Sequence, residues 1–263
     1  MTSPNIHIPW NYEVQEYKEH DPFCEPGLVS VLFLSCGKPK LTSICLESTK
    51  KAASNYVGDI EWLFLEQGEC EESYEIFKQF PADRKVIVRQ KNYGINNGFN
   101  QLWSLSRGEY GLVMEQDWYN NAPTFNFIGR AIDILIERTE VGIVQLRSIN
   151  DPNENWGFGK PEYNPWSVPD NDQYKVFSDK TLQNYEFLIS QFPNGFNNNP
   201  CLMRKSLWRE CGAFPEPKPG TDPRHGETDY QGRVAETGCA TAHINKDVYY
   251  HAGGSARRLM EGN

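Results

Sequence analysis

Between Leu28 and Leu146, five short apolar runs alternate with helix-patterned stretches, and that alternation restricts the fold more than any other feature of the chain. Leu28-Val29-Ser30-Val31-Leu32-Phe33-Leu34 is near-continuously apolar, as a strand covered on both faces must be. Ile60–Leu65, Lys85–Arg89, the run from Gly108 and Val141–Leu146 repeat that signature. Between them lie helical spacings. Leu41, Ile44 and Cys45 share one side, and Phe99, Leu102 and Trp103 face inward within 97–107, with Gly108 as the C-terminal stop. Ile128, Ala131, Ile132 and Leu135 recur at i, i+3, i+4, i+7. Strand and helix in alternation predict an α/β fold with a mostly parallel central sheet flanked by helices.

The flanking regions read differently. Residues 1–27 are polar and Pro-containing, an arm or edge strand rather than a domain. Residues 150–198 carry Pro, Asn and aromatics (Trp156, Phe158, Tyr163, Trp166, Tyr174) with little periodicity until a helix-like stretch at Leu182–Gln191. Long irregular segments are binding loops, lids or disorder, and the aromatics argue against disorder. Those rings either pack the segment onto the sheet or offer apolar faces to sugars.

The fourth strand runs into two carboxylates, Glu115 and Asp117, followed by Trp118. Ligands of open α/β sheets bind at the carboxyl ends of strands. A pair of acids there suits a hard divalent cation held against phosphate oxygens, while its bland alternative is a strand turning polar as it meets solvent. A net charge of −9 with no basic block argues against nucleic acid or anionic membrane as partner, yet allows a nucleotide if a cation supplies the positive charge. The hydrophobic content of 38% is ample for a core. No apolar run approaches the roughly 20 residues of a membrane span and no signal-peptide pattern opens the chain, so a cytoplasmic location is expected. Seven scattered cysteines without a CxxC pair fit reduced thiols.

Further motifs follow in order. Val31–Pro39 joins the first strand to a loop, and Leu65-Glu66-Gln67-Gly68 ends the second. Asn92-Tyr93-Gly94 opens a helix that reaches Asn100, and Arg107-Gly108-Glu109-Tyr110 leads into the acidic strand end. Asn199–Lys205, Cys211-Gly212-Ala213-Phe214, His225-Gly226-Glu227-Thr228-Asp229 and Tyr250-His251-Ala252-Gly253-Gly254-Ser255 complete the series. Together, over roughly Val29 to Arg258, they resemble the inverting glycosyltransferases of GT-A fold, family two above all. The resemblance implies a single GT-A (Rossmann-like) domain. Its nucleotide-sugar half would be 28–149, and its acceptor-binding and catalytic-base half 150–263, including the irregular acceptor-side segment.

It also implies roles. Ser35 and Gly37 would face the nucleotide, Glu66 and Gln67 would read the base, and Asn92, Gly94, Asn100, Glu115 and Gln116 would complete the donor site. Asp117 and His251 would hold Mn²⁺ or Mg²⁺, stabilising the diphosphate that leaves. Glu227 or Asp229 would take the acceptor hydroxyl's proton, or both acids simply complement a helix N-terminus. Arg257 and Arg258 would contact phosphate or stay solvated, and Asn198 and Asn199 would cap a turn or meet acceptor hydroxyls. Glu115 stands where the family has Asp, and Gln67 likewise; an amide both donates and accepts where a carboxylate only accepts. The expected partners are a nucleoside diphosphate sugar, UDP favoured and GDP next, and a glycan or glycoconjugate acceptor. A sugar nucleotidyltransferase would need a longer Gly-rich basic loop than Gly37-Lys38, and a non-catalytic carbohydrate- or nucleotide-binding module is the rival from another class.

Overall fold

The structure, a computed structural model, describes residues 13–15, 24–148, 187–190, 200–215, 225–244 and 246–252. Its centre is a nine-stranded mixed sheet. The first half supplies β1 (Glu13–Gln15), β2 (Glu25–Ser35), β3 (Ile60–Glu66), β4 (Lys85–Arg89), β5 (Gly108–Glu115) and β7 (Val141–Gln145). The second half adds β8 (Phe187–Ser190), β9 (Cys201–Arg204) and β10 (Ala240–Ile244). They lie in the order β1-β4-β3-β2-β5-β9-β7-β10-β8. Strands β4, β3, β2 and β5 are mutually parallel, β9 reverses, and β7 and β10 restore the first direction. A two-stranded ribbon, β6 (Trp118–Asn120) with β11 (Tyr249–His251), pairs separately and is bridged through Tyr249 to Arg147, just past β7.

Helices cover both faces, and strand alternation decides which side chains they meet. On one side α1 (Pro39–Ala53), α2 (Glu71–Gln79) and α4 (Phe127–Glu137) pack on Val29, Val31, Phe33, Trp62 and Phe64. On the other, α3 (Ile95–Leu105), α5 (Lys205–Cys211) and α6 (His225–Glu236) pack on Leu32, Leu34, Leu63, Leu65 and Val113. Stacked rings anchor each layer: Phe64 on Phe77 at 4.7 Å, and Trp103 on Trp208 at 5.8 Å. Each such fully buried side chain contributes about 1.5–3 kcal/mol of transfer free energy. The result is the three-layer α/β arrangement that the alternation predicts.

Three local expectations change. The first strand begins at Glu25, ahead of its apolar run, because the Glu25 amide donates to the Arg107 carbonyl at 2.8 Å. Gly108 is not a helix stop: α3 ends at Leu105 and Gly108 opens β5. Its amide donates to Ser30 Oγ at 2.8 Å, and a Cβ there would lie 2.7 Å from the Leu28 carbonyl oxygen. Within the helix-like stretch Leu182–Gln191, residues 187–190 form strand β8 instead, pairing antiparallel with β10. An open sheet edge offers a full row of backbone partners and overrides weak helical spacing. The N-terminal arm contributes β1, an edge strand antiparallel to β4; the rest of 150–198 and Asn199 lie outside the described residues.

Candidate active site

The parallel strands end together, and their loops gather most of the polar residues singled out above. At the tip of β2 the loop Cys36-Gly37-Lys38 is bound from both neighbouring strands. From β3, Glu66 is fully buried; its Oε1 accepts from Gly37 N at 3.0 Å and Gly68 N at 2.6 Å, and its Oε2 from the Ser35 hydroxyl at 2.7 Å. From the β5 side, Gln116 accepts from Cys36 N at 2.9 Å and donates to Cys36 O at 3.3 Å. Gly37 has φ +64°, a conformation costly for any residue with a Cβ, and Gly68 packs so near that a Cβ on it would come within 2.8 Å of Gly37 Cα. Ser35, Gly37, Glu66 and Gln116 therefore build the loop, with their polar atoms committed to one another.

Beside this knot, Gln67 and Gln90 end adjacent strands; Glu66 is in register with Arg89, one residue before each. Both glutamines are buried, and among the described residues Gln67 Oε1 and both side-chain polar atoms of Gln90 have no hydrogen-bond partner. A buried amide atom without a partner costs about 1–3 kcal/mol, so this spot is poised for a polar ligand edge. Asn92 is exposed, turns its Oδ1 to the Gly94 amide at 2.9 Å and its Nδ2 to Cys36 Sγ at 3.4 Å; Gly94 caps α3.

At the end of β5 the acidic pair separates into two different groups. Burial, then the charges of Asp117 and Glu227, push the Glu115 carboxyl well above the usual range. Burial acts the same way on Asp117, but the hydrogen bond and charge of His251, followed by Lys38, bring it below its ordinary value. The two neighbouring carboxyls are thus pushed in opposite directions by unlike surroundings, Glu115 toward its protonated form and Asp117 toward its ionised one. His251 arrives through the ribbon, in register with Trp118, and the Ala252 amide donates to the Asp117 carbonyl at 2.5 Å. Trp118 is buried with its ring 4.9 Å from His251, so the wide residue after the acids orients the imidazole.

His251 Nε2 lies 3.6 Å from Asp117 Oδ2. Two ligands each about 2.1 Å from one ion stand about 3–4 Å apart, so this pair can share a cation, one oxygen and one imidazole nitrogen. Among the described residues no group of three or more His, Cys, Asp or Glu is arranged around a common point.

The second half faces this rim through α6. Asn100 donates to Phe214 O at 2.9 Å and accepts from Phe214 N at 2.7 Å. The Phe214 ring lies 4.1 Å from Tyr230 of α6, and Arg233 of α6 donates to Ala213 O at 2.9 Å. Gly226 sits so close that a Cβ on it would fall on the Asn96 amide and within 2.7 Å of the Pro215 carbonyl. Asn100, expected at the donor, is part of the chain of contacts that positions α6. From that helix Glu227 is partly buried, and its charge acts on both Glu115 and Cys201, so it faces the β5–β9 rim. Asp229 is exposed, two residues on and around the helix. Arg257 and Arg258 lie outside the described residues. Sequence reading did not single out Gln90 or the ion pair of Lys38, whose Nζ is 3.8 Å from Asp117 Oδ2; strand register and that ion pair expose them.

No family model matches the chain. No curated protein sequence matches it either. Solved structures do. A crystal structure of TarS from S. aureus matches with a TM-score of 0.57 at 15% identity, covering 89% of this chain and 62% of that one. TarS in complex with UDP-GlcNAc matches with a TM-score of 0.57 at 15% identity, over 84% of this chain and 57% of that one. The mannosyltransferase PcManGT from Pyrobaculum calidifontis, in complex with GDP-Man and Mn²⁺, matches with a TM-score of 0.60 at 15% identity, over 89% and 60%. The chain therefore spans about three-fifths of the length of these structures. What it shares with these structures is the fold, an α/β domain of GT-A type.

Proposed function

We propose that the chain is a metal-dependent inverting glycosyltransferase, moving a sugar from a nucleoside diphosphate sugar to a hydroxyl of a glycan or glycoconjugate. The observation that carries this reading is the convergence of Asp117, His251 and Glu227 on one strand rim of a GT-A-type sheet. Neighbours of the same fold in complex with UDP-GlcNAc, or with GDP-Man and Mn²⁺, support the donor class, with UDP favoured and GDP next. Residues 28–149 serve as the donor half and 150–263 as the acceptor and base half.

Asp117 and His251 would hold Mn²⁺ or Mg²⁺, which when bound neutralises charge on the departing diphosphate. Gln67 and Gln90 meet the edge of the base, accepting from its N–H and donating to its carbonyl. Glu115, whose carboxyl is pushed toward its protonated form, suits a hydrogen bond to the ribose. Glu227 removes the proton of the acceptor hydroxyl as that oxygen attacks the anomeric carbon opposite the leaving group. Between the two candidate bases, orientation favours Glu227: it faces the acidic rim, whereas Asp229 is exposed.

The test compares Glu227→Gln with Asp229→Asn in a donor-hydrolysis and transfer assay, with nucleotide affinity measured alongside. Glu227→Gln is expected to lower turnover by about 10²–10⁴-fold with donor affinity intact, and Asp229→Asn to change it little. The reverse result would move the base to Asp229. Nucleotide binding without turnover in any donor–acceptor pair would favour the non-catalytic module, a reading that the two-residue metal pair also allows.

A further inference from the structure

We propose that Lys38 is a diphosphate-binding residue that exchanges Asp117 for the donor's phosphates, so that nucleotide and metal enter the site together. This rests on the glycosyltransferase reading above. Lys38 follows Gly37 in the loop whose backbone Glu66 and Gln116 hold, while its own side chain is 54% exposed. A fixed backbone with a free four-carbon stem is the arrangement for an ammonium that must swing. Its Nζ stands 3.8 Å from Asp117 Oδ2, the same oxygen that His251 Nε2 approaches at 3.6 Å. That oxygen is the expected metal ligand, so a dication arriving without nucleotide meets a resident positive charge.

A diphosphate arriving at this rim meets an acidic neighbourhood, Glu115, Asp117 and Glu227, into which Lys38 brings a positive charge 3.8 Å from Asp117 Oδ2. Phosphate oxygens attract Lys38 more strongly than one carboxylate oxygen at 3.8 Å does, because they offer more charge and shorter charge-assisted bonds. The swing releases Asp117 for the metal. Lys38 also ends at the start of α1, where no side chain caps the helix, so its movement leaves no cap behind.

Two consequences follow. Diphosphate binding keeps a metal-independent part, and Lys38 holds down the affinity of nucleotide-free protein for metal. The experiment measures, by calorimetry on wild type, Lys38→Met and Lys38→Arg, the binding of uridine, UDP and GDP in metal-free buffer, and of Mn²⁺ without nucleotide. Lys38→Met is expected to weaken UDP or GDP about tenfold with uridine unchanged, the loss of one exposed charge-assisted bond, and to tighten Mn²⁺ several-fold. Lys38→Arg should bind diphosphate close to wild type. Unchanged diphosphate affinity in Lys38→Met, or a loss of it with Mn²⁺ binding unchanged, overturns the exchange while leaving the enzyme reading intact. A wild-type protein that binds no nucleotide with or without Mn²⁺ overturns both.

Discussion

Replacing Glu66 by Gln separates a loop clamp from a base reader. The Glu66 side chain is fully buried and accepts two backbone amides on Oε1 and one hydroxyl on Oε2. A hydrogen bond to a charged acceptor contributes about 1.5–3 kcal/mol, and a neutral one about 0.5–1.5 kcal/mol. In Glu66→Gln the amide oxygen can take the Oε1 place and keep Gly37 and Gly68, each weakened by about 1 kcal/mol. The new amide nitrogen faces Ser35, whose hydroxyl turns to accept. The loss is then about 2 kcal/mol, or about 5 °C in Tm for a domain of this size. Glu66→Ala leaves the Gly37 and Gly68 amides unpaired, while the Ser35 hydroxyl keeps Gln116 Oε1 at 3.0 Å, and is expected to cost about 2–6 kcal/mol. The assay pairs urea denaturation with nucleotide affinities for UDP, GDP, dTDP and ADP. A clamp lowers all four by a common factor, because the loop bearing Lys38 loosens whatever the base. Wild-type stability in Glu66→Gln, or a loss confined to one base, would refute the clamp and return Glu66 to base reading.

Other consequences are open to measurement. His243 is buried with Nε2 2.8 Å from the Arg147 carbonyl oxygen, and burial, helped by the Arg147 charge, pulls its pKa down to about 3. Its folded value lies below its unfolded value of about 6.5, so the stability it contributes is full above that pH and drains away as pH falls toward 3. At pH 5 the loss is about 2 kcal/mol, and the stability gap between wild type and His243→Gln in urea should shrink by that amount between pH 8 and pH 5; a constant gap would contradict the assignment. Gly111→Ala would drive a Cβ into the Trp103 ring, 2.6 Å from Cζ3 and 2.8 Å from Cζ2. The expected cost is about 1–3 kcal/mol, with a change in near-ultraviolet circular dichroism as the Trp103–Trp208 stack shifts.

Much of this was legible in the sequence, for identifiable reasons. Strands β2, β3, β4 and β5 announce themselves because burial on both faces demands unbroken apolar runs. Asp117 and His251 were legible as a pair only through the order of motifs, since nothing in composition brings Tyr249–His251 alongside Trp118–Asn120; the ribbon does. Polar residues around the strand ends were less legible. Glu66, Gln116 and Asn100 read as ligand contacts, and they also bind the backbone of Gly37, Cys36 and Phe214. A carboxylate or amide that holds a loop and one that holds a substrate are the same letter in a sequence. The choice between Glu227 and Asp229 was open for a related reason: residues two apart on a helix diverge, and which one faces inward depends on how Gly226 and Tyr230 seat that helix.

The central claim is a metal-dependent nucleotide site at Asp117. Thermal denaturation with UDP, GDP, dTDP, CMP and ADP, each with and without Mn²⁺, on wild type and Asp117→Ala tests it most directly. At a hundredfold excess over Kd, a ligand that binds only the folded chain stabilises it by about 2.7 kcal/mol, a rise of about 5–10 °C. Such a rise is expected for a nucleoside diphosphate, larger with Mn²⁺ in wild type, with that metal-dependent part absent in Asp117→Ala. A rise that ignores both the metal and the mutation, or no rise with any nucleotide, would contradict it.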